Sequence, residues 1–289
     1  TVAVKASAST GVFFTNSKTL NPANKPITIA AWVKTSAKDG TILVRGAQAI
    51  GFGLIITDSK PRMLLRAKGK TYDAVSAKAI GKDWTHIAGA LQADGRMEVY
   101  ISGEMTGAVK GVPLPTGDPQ IAMKIGCDDT HQLLPKPLAP FSGAMDEVVL
   151  FRRALSADEI KTIAKGVKKL DGLVLHIDFE KGSAEDRSGC GNNGQLGAKT
   201  GLTVEGPSGD AMVFKPGKRP AAAPKRRRGR GSSVKFNWTR DMPIMVRAMA
   251  LADKTLFIAG PEDLLDEDAA FQKHFEPDAQ KQIADQQAA

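Results

Sequence analysis

Two adjacent carboxylates, Asp146 and Glu147, are the first residues whose chemistry could support catalysis. Glycoside hydrolysis needs two carboxyl groups that face each other across the scissile bond. Both residues lie in a predicted strand, 144–151, where successive side chains point to opposite faces, so we expect no such pair. His86 has no serine and aspartate arrangement around it, and we expect it to be structural. The sequence therefore predicts a protein that is not an enzyme.

Oxygen-rich side chains cluster around a glycine-rich loop at 188–194. Hard cations such as calcium bind carboxylate and amide oxygens. The sequence predicts calcium as a cofactor, with these candidate ligands: Asp178, Asp186, Asn192 and Asp146. The alternative is that Asp186 and Asn192 only fix turns through hydrogen bonds from side chain to backbone. Both interpretations stay open at this point.

The two cysteines, Cys127 and Cys190, lie far apart in the sequence. No second cysteine pair accompanies them, so a metal–thiolate site has little support. They are either two separate thiols or a single disulfide. A disulfide would tie the region around residue 190 to the first half of the chain.

The net charge of +9 comes from one segment, because residues 215–235 contain nine basic residues and no acidic ones. A segment of this composition cannot bury apolar surface, and we expect a solvated linker. Arg226, Arg227, Arg228 and Arg230 are candidates for contact with an acidic surface or an anionic polymer. Aromatic residues are not interleaved with them, so sequence-specific nucleic-acid binding is not expected.

Short alternating segments dominate the first 150 residues. In Ile27–Lys34 the apolar side chains at 27, 29, 31 and 33 share one face, as in a strand with one buried side. Further strands are predicted at 41–45, 51–57, 62–67, 84–91, 97–102, 120–126 and 144–151. Turn residues separate them, at Asp39-Gly40, Asp94-Gly95 and Ser102-Gly103. This spacing predicts an all-β sandwich or barrel.

A helix is predicted to begin after Ser156, where Ser156 and Glu159 have the spacing of a capping box. Strands at 173–179 and 211–214 follow, and 245–260 reads as a hairpin. No apolar run approaches the roughly 20 residues that a membrane-spanning helix needs.

Five motifs carry a family resemblance: IAAWVK at 29–34, WTHIA at 84–88, VYISG at 99–103, GAMDEV at 143–148 and RALSADEI at 153–160. In this order they resemble the laminin-G-like domains of bacterial surface proteins, over about residues 1–165. The resemblance implies a concanavalin-A-like jelly-roll sandwich, and a secreted, periplasmic or cell-surface location. It also implies recognition of a glycan or protein, with calcium in some members. The hairpin at 245–260 and the Gly-Pro that ends it resemble the opening of a β-propeller.

The order of the late segments departs from the resemblance. A strand and loop like 173–194, and a strand like 211–214, normally precede the tryptophan strand in the family, whereas here they follow the helix. Three interpretations are open. These segments form a shortened second domain, they complete the first sandwich, or they pair with another chain. We favour completion, because a sandwich without them would expose unpaired edges. The domains are then a sandwich at 1–217, a basic linker at 218–235, and a hairpin and helical tail at 236–289 that is either a docking segment or a truncated one.

A sugar-binding site usually presents an aromatic side chain to the sugar, but only 6% of the residues are aromatic. We expect Trp32 and Trp84 to lie in the core. Tyr100 and Trp238 are weak candidates, and the predicted ligand-binding residues are Tyr72, Asp128 and Asp129. The principal hypothesis is a non-catalytic recognition module. The alternatives are a structural subunit of a larger assembly, held by the basic linker and terminal hairpin, and, less favoured, a glycoside hydrolase.

Overall fold

Two antiparallel sheets pack face to face in a β-sandwich, as predicted. The structure is a computed structural model that describes residues 10–128, 133–167, 170–197, 200–215, 248–252 and 255–259. Sheet A consists of β1 (Val12–Phe13), β3 (Gly40–Gly46), β4 (Gly51–Thr57), β5 (Lys60–Ala67), β6 (Lys70–Val75), β10 (Lys124–Ile125) and β13 (Gln195–Leu196). Sheet B consists of β2 (Ile27–Lys34), β7 (Thr85–Leu91), β8 (Met97–Ile101), β9 (Glu104–Val109), β11 (Gly143–Phe151), β12 (Leu173–Ile177), β14 (Thr200–Gly206) and β15 (Gly209–Phe214).

The strand order places early and late segments side by side. Sheet A runs β13-β1-β10-β3-β4-β5-β6. Sheet B runs β14-β15-β11-β2-β7-β8-β9, and β12 pairs with part of β11. Strands β2 and β11 therefore lie in the middle of sheet B, where both of their edges are hydrogen bonded.

Alternation along the strands creates the core between the sheets. Ile27, Ile29 and Val33 of β2 point inward, and Leu54 and Met63 of sheet A lie in the same buried cluster. Inward residues of a sandwich stay dry because each sheet covers the other.

The outer faces of both sheets are partly covered as well. A short helix, α1 (Ala157–Ile163), packs Ile160 and Ile163 over Ala30 and Ala88 of sheet B. The predicted capping box is present at its start, because the Ser156 hydroxyl accepts from the Glu159 amide and the Glu159 carboxylate accepts from the Ser156 amide. On sheet A, residues 133–138 cover a smaller apolar cluster that contains Ile55.

Residues 173–214 add strands to both sheets. β12 and β15 each pair with β11, and β13 pairs with β1. The amide of Gly11 donates to the Thr200 hydroxyl at 2.9 Å, so the first and last described parts of the sandwich are hydrogen bonded. These pairings join residues 173–214 to strands that come before the helix.

Several turns differ from the sequence prediction. Asp39-Gly40 does not form a hairpin, because β2 and β3 belong to different sheets. Asp94-Gly95 and Ser102-Gly103 do connect hairpin strands. The β5–β6 hairpin turns at Lys68-Gly69, with φ of 49° and 74°, and the sequence did not predict β6 or β9.

The chain divides into two units, at residues 1–223 and 224–289. In the second unit the structure describes a two-stranded antiparallel hairpin, β16 (Ala248–Ala252) and β17 (Thr255–Ala259). Resemblance of this region to a β-propeller is not supported. Within the described ranges, no helix has the length and hydrophobicity that crossing a membrane requires.

Candidate functional site

A pocket of about 450 Å³ lies at the ends of β4 and β5, where residues 134–139 cross the outer face of sheet A. Ile55 and Leu138 give it an apolar lining. The lining also includes four charged side chains, from Asp39, Asp58, Arg62 and Lys136. Pockets of roughly 300–1,000 Å³ with a few convergent polar groups are the usual size for small-molecule sites.

The turn between β4 and β5 fixes one side of the pocket. Asp58 and Ser59 have φ of 50° and 63°, a left-handed conformation that aspartate tolerates better than most residues. The Asp58 amide donates to Oδ1 of Asp39 at 3.0 Å. The Ser59 amide donates to the carbonyl oxygen of Lys38 at 2.7 Å. These two bonds hold the β2–β3 connection against the turn.

Arg62 and Lys136 bring cations to the same pocket. The Arg62 guanidinium pairs with the carboxylate of Asp73 on β6. Its Nε is buried and has no hydrogen-bond partner. Lys136 comes from the segment that crosses the sheet. The pocket therefore combines carboxylate acceptors with nitrogen donors, and no aromatic side chain is among the described residues that line it.

Those predicted site residues that the structure describes do not line this pocket. The sequence did indicate a turn at Asp58, because strands were predicted on both sides of the Asp58-Ser59 pair. No local pattern pointed to Lys136, since the position of that segment depends on packing against Ile55 and Leu64.

Asp186, a predicted calcium ligand, instead holds the glycine-rich loop together. Its Oδ1 accepts from the amides of His176 and Ser188, at 3.0 and 2.9 Å. Its Oδ2 accepts from the Ser188 hydroxyl and the Asn192 amide, both at 2.8 Å. A carboxylate with four such donors has little capacity left for a cation.

The other predicted ligands are also occupied or distant. The Asn192 side chain donates to the Val174 carbonyl oxygen at 2.7 Å and bonds to the Thr19 hydroxyl. Asp178 accepts from Nε of Arg187 at 2.9 Å. In the parts of the chain that the structure describes, no three His, Cys, Asp or Glu side chains are grouped to hold a metal ion. The residues present do not fit a calcium site, and calcium binding stays a prediction without support from this geometry.

Asp146 and Glu147 do not point to opposite faces, which corrects the sequence interpretation. A β-bulge in β11 lies between Asp146 and Val149, and Glu147 has φ of 51°. Met145 and Val148 both face the core, so the two carboxylates between them both lie outside it. The Glu147 carboxylate bonds to Nε2 of His176 at 2.7 Å.

The carboxyl group of Asp146 is almost completely buried, with 1% of the residue exposed. Burial raises its pKa to about 7, the nearby Glu147 charge adds to the shift, and backbone hydrogen bonds offset part of it. Oδ1 accepts from the Glu147 amide at 2.8 Å, and the Ser208 backbone also hydrogen bonds to this carboxylate. Gly206 in the β14–β15 hairpin lies next to Oδ2, so close that a Cβ there would come within 2.7 Å.

Two of the predicted ligand-binding residues, Tyr72 and Asp128, do not line the pocket. Tyr72 packs against the core, and the Lys70 ammonium lies 5.0 Å from its ring centre. Asp128 is buried, and its Oδ2 accepts from the Leu133 amide. Asp129 lies outside the described residues, as do the four arginines predicted to contact an anionic partner, Arg226, Arg227, Arg228 and Arg230.

The disulfide between Cys127 and Cys190 is absent, which corrects that alternative. Cys127 lies beside Gly11, where an added Cβ would come within 2.6 Å of its Sγ. The Cys190 thiol contacts the carbonyl oxygen of Leu173 at 3.8 Å. Hydrogen bonds, not a covalent link, therefore hold the loop near residue 190.

Trp32 and Trp84 are half-buried and belong to neither buried cluster of sheet B, so the expectation that they lie in the core is wrong. Trp32 lies on the outer face of sheet B, opposite His86 in the register. Their ring centres are 5.5 Å apart in an edge-to-face contact. Burial lowers the pKa of His86 to about 4, so its imidazole is neutral.

Comparison with protein families gives one match, over residues 6–161, described as the concanavalin A-like lectin/glucanases superfamily. A search of curated protein sequences found no match.

Solved structures similar to this chain have low sequence identity to it. A candidate carbohydrate-binding protein from Bacteroides ovatus is 17% identical with a TM-score of 0.50, and the match covers 75% of this chain and 61% of that one. Domain 4 of an extracellular arabinanase from Geobacillus stearothermophilus is 20% identical with a TM-score of 0.44, covering 53% and 72%. A sialidase CBM40 module from Ruminococcus gnavus is 19% identical with a TM-score of 0.41, covering 55% and 95%.

Proposed function

Because the chain belongs to the concanavalin A-like lectin/glucanases superfamily, we propose that it is a non-catalytic carbohydrate-binding module. The observation that carries this proposal is the pocket on sheet A, in which charged side chains surround an apolar lining. As the family resemblance implies, we place this activity outside the cytoplasm, in a secreted, periplasmic or cell-surface protein.

The composition of the pocket suits an uncharged sugar. Sugar hydroxyls donate and accept hydrogen bonds, and the carboxylates and nitrogen donors of the pocket match both roles. Arg62 is already paired with Asp73, so its charge is largely balanced within the protein. A free anionic group on the ligand would meet Asp39 and Asp58, and we therefore favour a neutral sugar at a chain end.

The geometry of β11 supports the absence of catalysis. The carboxylates of Asp146 and Glu147 both lie outside the core, but these residues are buried, with 1% and 7% of their surface exposed. Glycosidases leave roughly 5–9.5 Å between their carboxyl groups for the sugar and, in inverting enzymes, a water. The Glu147 carboxylate instead contacts His176, and the β14–β15 hairpin lies against Asp146.

A glycan array followed by calorimetry on the full chain tests this function. We expect Asp58→Asn, which keeps a residue tolerant of the turn, to weaken glycan binding by roughly tenfold. The matched control is Asp94→Asn, another aspartate in a hairpin turn, whose Oδ1 accepts from the Arg96 amide. Absence of binding to every glycan, with and without calcium, would contradict the proposal.

One observation favours the alternative of a structural subunit. β14 is an edge strand of sheet B, and its Leu202 and Val204 are 62% and 44% exposed. Exposed edge strands with apolar side chains are surfaces for strand pairing. If the chain assembles through this edge, Val204→Lys will shift the sedimentation coefficient from that of an oligomer to that of a monomer. A monomeric unmodified chain removes this alternative.

A further inference from the structure

Arg62 holds an unused hydrogen-bond donor beside the pocket on sheet A. It lies on β5 and lines the pocket, and its side chain is 25% exposed. The guanidinium pairs with Asp73 on the neighbouring strand β6, and this ion pair fixes its orientation. Among the residues that the structure describes, the buried Nε–H of Arg62 has no hydrogen-bond partner. Most buried polar atoms are hydrogen bonded, so such a donor beside a recess indicates a missing water or ligand acceptor.

Apolar surface adjoins this donor. Ile55 on β4 lies directly opposite Arg62 in the strand register. Leu134 and Leu138 pack against the cluster that contains Ile55, and they line the pocket while only partly buried. These side chains are branched aliphatic groups, which do not offer the flat platform that an aromatic ring gives to a sugar. A small apolar group such as a methyl fits this surface better than a whole sugar ring.

The turn between β4 and β5 adds a hydrogen-bond acceptor to the same recess. The Asp58 side chain is exposed and lines the pocket. A carboxylate only accepts hydrogen bonds, whereas the Nε–H of Arg62 only donates one. The pocket therefore presents a donor, an acceptor and an aliphatic surface together.

We propose that the pocket recognises the acetamido group of an N-acetylated sugar at the end of a glycan chain. The carbonyl oxygen of that group accepts from Nε of Arg62, and its N–H donates to the Asp58 carboxylate. Its methyl group contacts Leu134 and Leu138. Asp73 is a positioning residue, because it holds the guanidinium and does not contact the sugar. The inference rests on the proposed carbohydrate-binding function and names the class of sugar for the same pocket.

Other substituents of a sugar match this arrangement less well. A hydroxyl group can bind Arg62 or Asp58, but it gives the two leucines no apolar partner. The methyl group of a 6-deoxy sugar has no carbonyl acceptor beside it. An O-acetyl ester has both a methyl and a carbonyl, but it lacks the N–H that the Asp58 carboxylate accepts. The acetamido group satisfies all three requirements and is uncharged.

Calorimetry on the full chain with matched methyl glycosides tests this specificity. The probes are the methyl glycosides of N-acetylglucosamine and N-acetylgalactosamine, each compared with that of glucose or galactose, which has a hydroxyl at the same carbon. We expect at least one N-acetylated probe to bind roughly tenfold more tightly than its parent sugar.

The outcomes separate this inference from the proposed function. Equal affinities within each pair, with binding that still requires Asp58, would overturn the acetamido assignment and leave the carbohydrate-binding function standing. Tighter binding of methyl fucoside than of both N-acetylated probes would overturn the assignment as well. Absence of binding by all these probes would also overturn it, and the glycan array then decides the proposed function independently.

Two substitutions in the pocket locate the contacts. Arg62→Lys keeps a cation that can pair with Asp73 but removes the Nε–H, so it should abolish the preference for the N-acetylated probe and leave the affinity for the parent sugar unchanged. Leu138→Ala removes part of the aliphatic surface at a partly buried position, and it should reduce the same preference.

The matched control is Arg96→Lys, because that arginine pairs with Glu98 of sheet B and does not line the pocket. It should keep the full preference for the N-acetylated probe. Circular dichroism and thermal unfolding check that each variant is folded. A preference that persists in folded Arg62→Lys, or that Arg96→Lys loses to the same extent, would overturn the assignment of Arg62.

Discussion

At the scale of single residues, an aspartate carboxylate can either bind a cation or accept the hydrogen bonds that fix a turn. The neighbouring hydrogen-bond donors determine which of these two roles it has. Asp186 was predicted as a calcium ligand from its residue type and its glycine-rich surroundings. The decisive donors come from His176, Ser188 and Asn192, and the first of these is on a separate strand. Such a partner depends on tertiary packing, so the sequence could name the residue but not its role.

The role of Asp186 predicts a stability effect that is independent of calcium. We expect Asp186→Asn to lower the free energy of unfolding by about 2–3 kcal/mol, because an amide presents a donor where four donors already converge. Urea denaturation with EDTA measures this change. Glu185→Gln is the control, since that side chain is 59% exposed and its loss should change stability by less than about 0.5 kcal/mol. A loss that appears only with calcium present would restore the metal interpretation.

The buried carboxyl group of Asp146 predicts a pH dependence of stability. Burial raises its pKa to about 7 in the folded chain, well above the usual range of an aspartate, so the folded state binds the proton more tightly. Its contribution is complete below about pH 4 and is lost as the pH rises toward 7. Relative to Asp146→Asn, the unmodified chain should lose up to about 1.4 kcal/mol per pH unit across this range.

Comparison of the unmodified chain with Asp146→Asn cancels the contribution of His86 to the pH dependence of stability. Burial lowers the pKa of that imidazole to about 4, so its contribution to stability has the opposite slope between about pH 4 and 6.5. Both chains contain His86, and the difference between their unfolding free energies reports Asp146 alone. Equal pH profiles would show that the Asp146 carboxyl titrates normally.

At the scale of elements, the central strands could be predicted and the edge strands could not. β2 alternates strictly because one of its faces meets the core. β6 and β9 lie at the edges of their sheets, and their sequences KTYDAV and EMTGAV contain few buried side chains. Edge strands bury less apolar surface, so their hydrophobic pattern is weak. The bulge in β11 was missed for a related reason, since alternation has no local signal for one extra residue.

The helix was predicted from its cap, and the cap is its most testable feature. Ser156→Ala removes the acceptor for the Glu159 amide and should lower the free energy of unfolding by about 1 kcal/mol. The Glu159 carboxylate stays bound by Arg153, whose hydrogen bonds are the largest cause of its pKa of about 2. Thermal and urea unfolding measure the loss. Lys165→Ala, an exposed site after the helix, is the control, and an equal loss there would contradict a capping effect.

At the scale of the whole molecule, the family resemblance covered the first 165 residues, but later residues also pair with the strands of the sandwich. β11 is paired with β12 and β15 along much of one edge, and β1 is paired with β13. The all-β class followed from strand spacing. The late strands could be placed only by reasoning about unpaired edges, because their order differs from the resemblance.

This pairing predicts a sharp difference between two shortened chains. A chain of residues 1–217 should give a cooperative thermal transition and a monodisperse gel-filtration peak. A chain of residues 1–165 should aggregate or remain unfolded, because it lacks the partners of β11 and β1. Circular dichroism and gel filtration measure both properties. A cooperative transition in the shorter chain would contradict the assignment of 173–214 to the same folding unit.

The hydrogen bond from the Thr10 hydroxyl to the Lys215 carbonyl oxygen joins residues 205 positions apart. Contacts of such separation raise the contact order, and a long loop must close before they form. During synthesis, β1 therefore has one of its two partners only after residue 196 has left the ribosome. We expect the sandwich to fold after its last strand is available, slowly and in one step, instead of growing strand by strand from the N-terminus.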